Sequence, residues 1–226
     1  MQFHRTSKNK RGNQRPAPGR RPAPSAWVIR ARRILEEEAR GIRKVGALLD
    51  ANFDGAVQTI LRCRGRIIVT GLGKSGHVGR KMAATLASTG STALFLHAGE
   101  ALHGDLGMIT KDDVVIAVSQ SGETAELLAA LKYCRHRKVP IIGVAANPKS
   151  RLAKMSNYFL SLEPATEVDC FGIVPTGTAT ATLALGDALA VVVMEKRKFS
   201  LREFHERHPG GTLGRIAAAR LRSGGE

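Results

Sequence analysis

Apolar residues change their period once along this chain. From about Ala26 to Leu61 they recur at three- and four-residue spacing, as at Ile34, Leu35, Ile42, Val45, Leu48 and Leu49, which predicts amphipathic helices. Asn52 or Asp54 is placed to cap the second of them. Beyond that point the apolar residues gather into short runs: RIIVTG (66–71), TALFL (92–96), DVVIAVS (113–119), PIIGVA (140–145) and NYFLSL (157–162). The runs are too short for buried helices, and the spacing predicts five strands. Helices fit between them at about Ser75 to Ser88, 123–136 and 148–155. A long apolar helix over 179–197 closes the core, and a short helix in SLREFHERH runs into PGGTLGR. Near-continuous apolar strands alternating with helices predict a parallel sheet covered on both faces. No internal repeat and no second domain are read after it.

Composition adds limits. The 226 residues suffice for one sizeable core. No apolar run reaches 18 residues, so no membrane span is expected. The basic N-terminus is not followed by an apolar stretch with a cleavage site, so no secretory signal is read. Cys63, Cys134 and Cys170 are scattered and odd in number, which fits a reducing cytoplasm. None has CxxC spacing, so a structural zinc site is not expected.

The net charge of +16 invites a nucleic-acid reading. Ten of the 35 Lys and Arg residues lie in residues 1–33, which hold no acid. Residues 1–25 are rich in Pro, Gly and Arg, and are expected to form a disordered, solvated tail. Only Phe3 precedes Trp27 among the aromatics, so the tail lacks stacking platforms for bases. Nucleic acid is therefore not the expected partner, non-specific polyanion contact being the alternative.

In open parallel α/β sheets, ligands bind at the carboxyl ends of the strands. The first strand ends in TGLGKSGHVGRK, where Gly71, Gly73 and Gly76 spell GxGxxG. A dinucleotide site would want an acid at the end of the next strand, and that strand ends at Phe95, Leu96 and His97. A Walker A loop fails too, because Ile68 stands where its first glycine belongs. What remains is a glycine turn at Gly73 offering Lys74 as a cation and Ser75 as a donor at a helix N-terminus. The third strand ends in SQSGET, where Ser119, Ser121 and Thr124 surround Gly122. One hydroxyl there would serve as a helix cap. Three exceed that need and suit a phosphate dianion.

This loop resembles the sugar isomerase (SIS) domain. With GLGKSGHVGRKMAATLASTG, GEALHGDLGMI, PTGTATATLALGDALAV and HPGGTLGR in the same order, residues 30 to 216 resemble the arabinose 5-phosphate isomerase branch of that family. The resemblance implies a flavodoxin-like, three-layer α/β/α sandwich with a five-stranded parallel sheet. The basic tail would be 1–25, the single SIS domain 26–216 (helices 26–61, core 66–197, then the HPGG segment), and a second tail 217–226. It implies interconversion of D-ribulose 5-phosphate and D-arabinose 5-phosphate through an enediol, with no redox cofactor, feeding synthesis of Kdo for lipopolysaccharide or capsule. Lys74, Glu126, Glu167 and His208 fall on catalytic positions and His103 on a substrate-contacting one. Either His208 or Glu167 would be the base. Glu123 faces either the ligand or solvent. His97 falls on a position linked to zinc, but two histidines without an acid make a poor site, so any zinc would be adventitious or inhibitory. Thr176, Thr178 and Thr180 supply hydroxyls where the family often has serines. The resemblance also implies a homotetramer, a dimer of dimers, with His103 or His208 crossing an interface. The family commonly adds a pair of CBS domains, and the chain is expected to resemble the short form without them. A phosphosugar-binding regulator, or an isomerase for another ketose phosphate such as sedoheptulose 7-phosphate, is the alternative.

Overall fold

A computed structural model describes residues 23–224; the expected tail falls mostly outside them. Ser25 caps α1 (Ala26–Ala47), and Asp50 caps α2 (Ala51–Arg62) by accepting from the Asn52 N–H at 2.9 Å. Neither Asn52 nor Asp54 is the cap, because the helix opens one residue after Asp50. The α/β part follows as β1 (Ile67–Gly71), α3 (Gly73–Ser88), β2 (Ala93–His97), the short α4 (Ala98–Ala101), β3 (Val114–Val118), α5 (Ala125–His136), β4 (Ile141–Ala145), α6 (Arg151–Met155) and β5 (Tyr158–Ser161). Then come α7 (Gly177–Lys196), α8 (Leu201–Arg207) and α9 (Gly211–Arg222).

The five strands are all parallel in the order β2-β1-β3-β4-β5. Their side chains alternate between two cores, the period of two that a pleated strand requires. Ile67, Val69, Val114, Ile116, Val118, Ile142 and Val144 enter the core that holds α2, α3 and α7. Ile68, Val115, Ala117 and Ile141 enter the core that holds α4, α5 and α6. Both faces are covered, which is why the strands read as continuous apolar runs.

Several boundaries differ from the sequence reading: α3 begins at Gly73 and α5 at Ala125, each two residues from the expected start. α7 begins two residues early, which places Thr176 and Thr178 at its N-terminus. α6 begins at Arg151, because Ser150 caps it by accepting from the Ala153 N–H at 3.2 Å. The expected tail 217–226 is largely helix: α9 runs to Arg222 and buries Ala217. α7 is also long and apolar enough, by length and composition alone, to cross a bilayer, contrary to the expectation that no segment would be. Its apolar surface on several sides answers to α1, α2 and α3, all of which pack against it.

Connections leave β1 and β3 toward opposite edges of the sheet, β1 to β2 one way and β3 to β4 the other. The carboxyl ends of these adjacent strands therefore border a crevice, the place where ligands settle in such sheets.

Candidate active site

The crevice is bordered by the two loops singled out in the sequence. At the end of β1, α3 turns in at once. A Cβ on Gly76 would lie 3.1 Å from the Gly71 carbonyl oxygen. The third glycine of GxGxxG thus permits close helix–strand packing and needs no dinucleotide to explain it. Gly73 opens α3 and is exposed, as is Lys74, while Ser75 is half-buried. The helix has no side-chain cap.

At the end of β3 the loop folds on itself. Ser119 is buried; its hydroxyl accepts from the Gly122 N–H at 3.1 Å and bonds the Thr124 hydroxyl at 2.9 Å. The Ser121 hydroxyl accepts from the Glu123 N–H at 3.1 Å. Gly122 has φ of 69°, and a Cβ there would collide with the Ser150 side chain. Only glycine fits both constraints. Thr124 is the N-cap residue of α5, yet its side chain makes no cap bond. Among the described residues the N–H groups of Ser121 and Thr124 find no acceptor. The serines shape the loop, and the first turn of α5 is left to receive an anion.

Glu123 turns away from the crevice. Its carboxylate bonds Arg151 Nε at 2.5 Å and accepts the Arg151 N–H at 2.8 Å, at the start of α6. Arg151, through its side-chain and then its backbone bond, lowers the Glu123 pKa from its ordinary value. Glu126, in the first turn of α5, is exposed and makes no hydrogen bond within the described residues.

Glu167 lies on the connection from β5 to α7. Its carboxylate accepts from the Thr176 N–H at 2.7 Å, the Thr176 hydroxyl at 3.1 Å, the Thr178 N–H at 3.3 Å and the Thr178 hydroxyl. Burial alone would raise its pKa, but the Thr178 and Thr176 donors outweigh that and hold it below the ordinary 4.5. A carboxylate so held is a weak proton acceptor. It sets the N-terminus of α7, and α1 steadies the loop through Arg30, which donates to the Val168 carbonyl at 2.9 Å.

Lys74, Ser75, Gln120, Pro175, Thr178 and Thr182 line one cleft of about 140 Å³. Three chain segments thus meet there, and Glu167 acts on the cleft through Thr178. Gln120 and Thr182 were not picked out in the sequence. Gln120 carried a signal, since it sits between Ser119 and Ser121. Thr182 is visible only once Thr178 is known to sit on the same helical face four residues earlier.

The histidines stand apart from that lining. His103 is exposed on the connection that leaves β2. His208 follows α8, half-buried and stacked on Phe204 with ring centroids 4.0 Å apart. Its Nδ1 is 2.8 Å from the Phe204 carbonyl. A carbonyl only accepts, so Nδ1 carries a proton and Nε2 is the ring nitrogen left for another partner. α8 packs chiefly on α9, and α9 exposes Leu213 and Ile216. His97 ends β2 with a buried, unpartnered Nδ1. Among the described residues no three His, Cys, Asp or Glu side chains gather to hold a metal, so these residues do not form a closed zinc site.

Residues 60–192 match the SIS domain family. The chain belongs to that family. It is 48% identical over 181 residues to arabinose 5-phosphate isomerase KdsD of Francisella tularensis, a match covering 79% of this chain and 55% of that protein. The chain thus spans about half the length of the curated relatives it matches. The structure of E. coli CFT073 c3406 in complex with arabinose 5-phosphate superposes with a TM-score of 0.78 at 36% identity, covering 81% of this chain and 97% of that one. Vibrio vulnificus NanR complexed with ManNAc-6P shares the fold, with a TM-score of 0.61, 19% identity and coverage of 84% of this chain and 68% of that one. The SIS fold alone therefore does not distinguish one of these proteins from another.

Proposed function

We propose that this SIS domain is an aldose–ketose isomerase that interconverts D-ribulose 5-phosphate and D-arabinose 5-phosphate, supplying Kdo synthesis. The observation that carries the reading is the open first turn of α5 at the switch-point crevice, with Lys74 and Gln120 lining one cleft beside it. The phosphate docks on the free N–H groups of Ser121 and Thr124. The Lys74 ammonium stabilises negative charge on the enediolate oxygens. A base takes the proton from C1 of the ketose as O2 gains one, giving the enediol; a proton then returns to C2 as O1 gives up its own. His208 Nε2 is the better base, because Glu167 is already satisfied by four donors. This balance needs no redox partner, and no step is routed through a metal.

His208 and His103 reach the crevice from a second copy. Supporting this are the exposed Phe171 and Ile173 just before the cleft residue Pro175, the exposed Leu213 and Ile216 on α9, and the exposed Trp27 and Leu35 on α1. A dimer of dimers, in the cytoplasm, is the assembly proposed.

The test is proton NMR of purified protein with D-ribulose 5-phosphate and a chelator. D-arabinose 5-phosphate is expected at enzymatic rate. Saturable binding without turnover would replace the enzyme with a sensor. His208→Asn is expected to lower kcat by about 10²- to 10⁴-fold. Mixed oligomers of His208→Asn and Lys74→Met are expected to regain activity, since each site draws on two chains; no regain would place both residues in one chain's site.

A further inference from the structure

Two clefts lie at the other end of the sheet, where the strands begin. One, of about 410 Å³, is lined by Arg62, Arg64 and Lys111, with Asp112 and Asp113. The other, of about 370 Å³, is lined by Arg135, Lys138 and Lys154. Pro140 lines both, so the two clefts adjoin. All six basic side chains are exposed. Of the two acids, Asp113 is buried and occupied, accepting the Arg66 N–H at 2.6 Å and the Thr110 N–H at 2.7 Å. The surface is therefore strongly positive, although these cations are scattered over 93 positions from Arg62 to Lys154.

Helix termini account for part of this charge. Arg62, Arg135 and Lys154 sit in the last turns of α2, α5 and α6, where a cation complements the helix dipole. Arg64, Lys111 and Lys138 are on loops, and Lys138 closes α5 by donating its N–H to the Arg135 carbonyl at 3.0 Å. Their side-chain donors make no hydrogen bond within the described residues. The positive φ of 57° at Lys138 is the left-handed turn by which α5 ends. No lining residue of either cleft is among the exposed large apolar side chains, so nothing here suits insertion into a bilayer or an apolar protein interface.

We propose that this amino-terminal edge of the sheet binds the phosphodiester backbone of single-stranded nucleic acid, one cleft on each side of Pro140. Adjoining concave clefts lined by exposed ammonium and guanidinium groups suit a flexible linear polyanion held through its phosphates alone, without base stacking. The contact reads charge and carries no base specificity. It lies across the sheet from the isomerase crevice and is independent of that reading.

The test uses the full chain, with residues 1–33 present throughout. Anisotropy of a fluorescein-labelled 20-nucleotide oligo(U) is followed between 50 and 300 mM KCl for the wild type and for Arg64→Gln, Lys111→Gln, Lys138→Asn combined. The variant is expected to bind at least about tenfold more weakly at 50 mM salt, with a salt slope smaller by about 2, since each lost contact to a single strand removes about 0.7. Its melting temperature should match the wild type. Equal affinity and slope in the two proteins would overturn the proposal and place the binding in the basic residues 1–33. So would a wild type that does not bind oligo(U), or a variant that loses binding only to phosphatidylserine-containing vesicles. Ultraviolet cross-linking of wild type to the same RNA needs no variant to fold. Adducts at residues 62–66, 111 and 135–154 are expected, and adducts confined to residues 1–33 would overturn it.

Discussion

Two helix N-termini on the carboxyl side of this sheet begin from similar sequences and end in opposite states. α5 follows Ser119, Ser121 and Thr124; α7 follows Thr176 and contains Thr178. Each offers hydroxyls and unpaired N–H groups at the positive end of a helix dipole. At α7 the chain supplies its own anion, since the Glu167 carboxylate takes both N–H groups and both hydroxyls. At α5 no carboxylate enters: Glu123 is drawn to Arg151 at the start of α6. One terminus is filled from within the chain and is structural. The other is left open for an anion from outside. A motif rich in hydroxyls therefore marks an anion site, and only the neighbouring carboxylate says whether the anion is a ligand.

Making α5 resemble α7 should have the largest effect. Ser121→Asp keeps an acceptor for the Glu123 N–H, since Asp forms the same kind of turn, and puts a fixed negative charge where phosphate docks. Juxtaposed like charges cost several kcal/mol, so kcat/KM for the sugar phosphate is expected to fall at least about 10²-fold with little change in melting temperature. An unchanged kcat/KM would remove the phosphate from α5.

The reverse change, Glu167→Gln, should lower stability by about 1 kcal/mol, the usual scale for losing a charged cap. It should also lower kcat/KM by about tenfold through displacement of Thr178, less than the 10²-fold that a 1 Å misplacement can cost. If Glu167 were the proton-transfer base instead, kcat would fall as far as it does for His208→Asn.

A pH series sharpens the same point. The folded-state pKa of Glu167 lies below its ordinary 4.5. Its contribution to stability is thus fully present above 4.5 and is lost as pH falls through the depressed folded value. Thermal unfolding of wild type and Glu167→Gln should differ most near neutrality and converge in acid. A gap that widens in acid would reverse the sign of the shift.

Glu123→Gln should have the smallest effect. Its pair with Arg151 is exposed, and exposed pairs contribute little. Activity within about twofold of wild type is expected in a direct isomerase assay. A large loss would mean that Glu123 swings back to the ligand.

Much of this was legible in the residues themselves. Five short apolar runs reported five strands, because a strand covered on both faces is apolar on both. The order of the SIS motifs reported the family. The sequence also determined Gly122, whose positive φ and contact with Ser150 exclude every side chain. It did not determine which hydroxyls were free. Ser119 and Ser121 read as ligand donors; Ser119 bonds within the loop to Gly122 and Thr124, while Ser121 accepts from the Glu123 N–H and keeps its own proton to donate. Glu167 read as a candidate base, and caps a helix because the chain between β5 and α7 carries it back over Thr176. His208 and His103 read as site residues, while the cleft of one chain does not include them.

Period and residue type fixed the layers, since burial is decided locally by which face of a strand or helix is apolar. What only the tertiary structure decided is the pairing of polar groups between segments far apart in sequence: Glu167 with Thr178, Glu123 with Arg151, and six cations spread over 93 positions gathered at one edge of the sheet. A charge or a hydroxyl has no period to announce its partner, and its role is set by what the fold brings within about 3 Å of it.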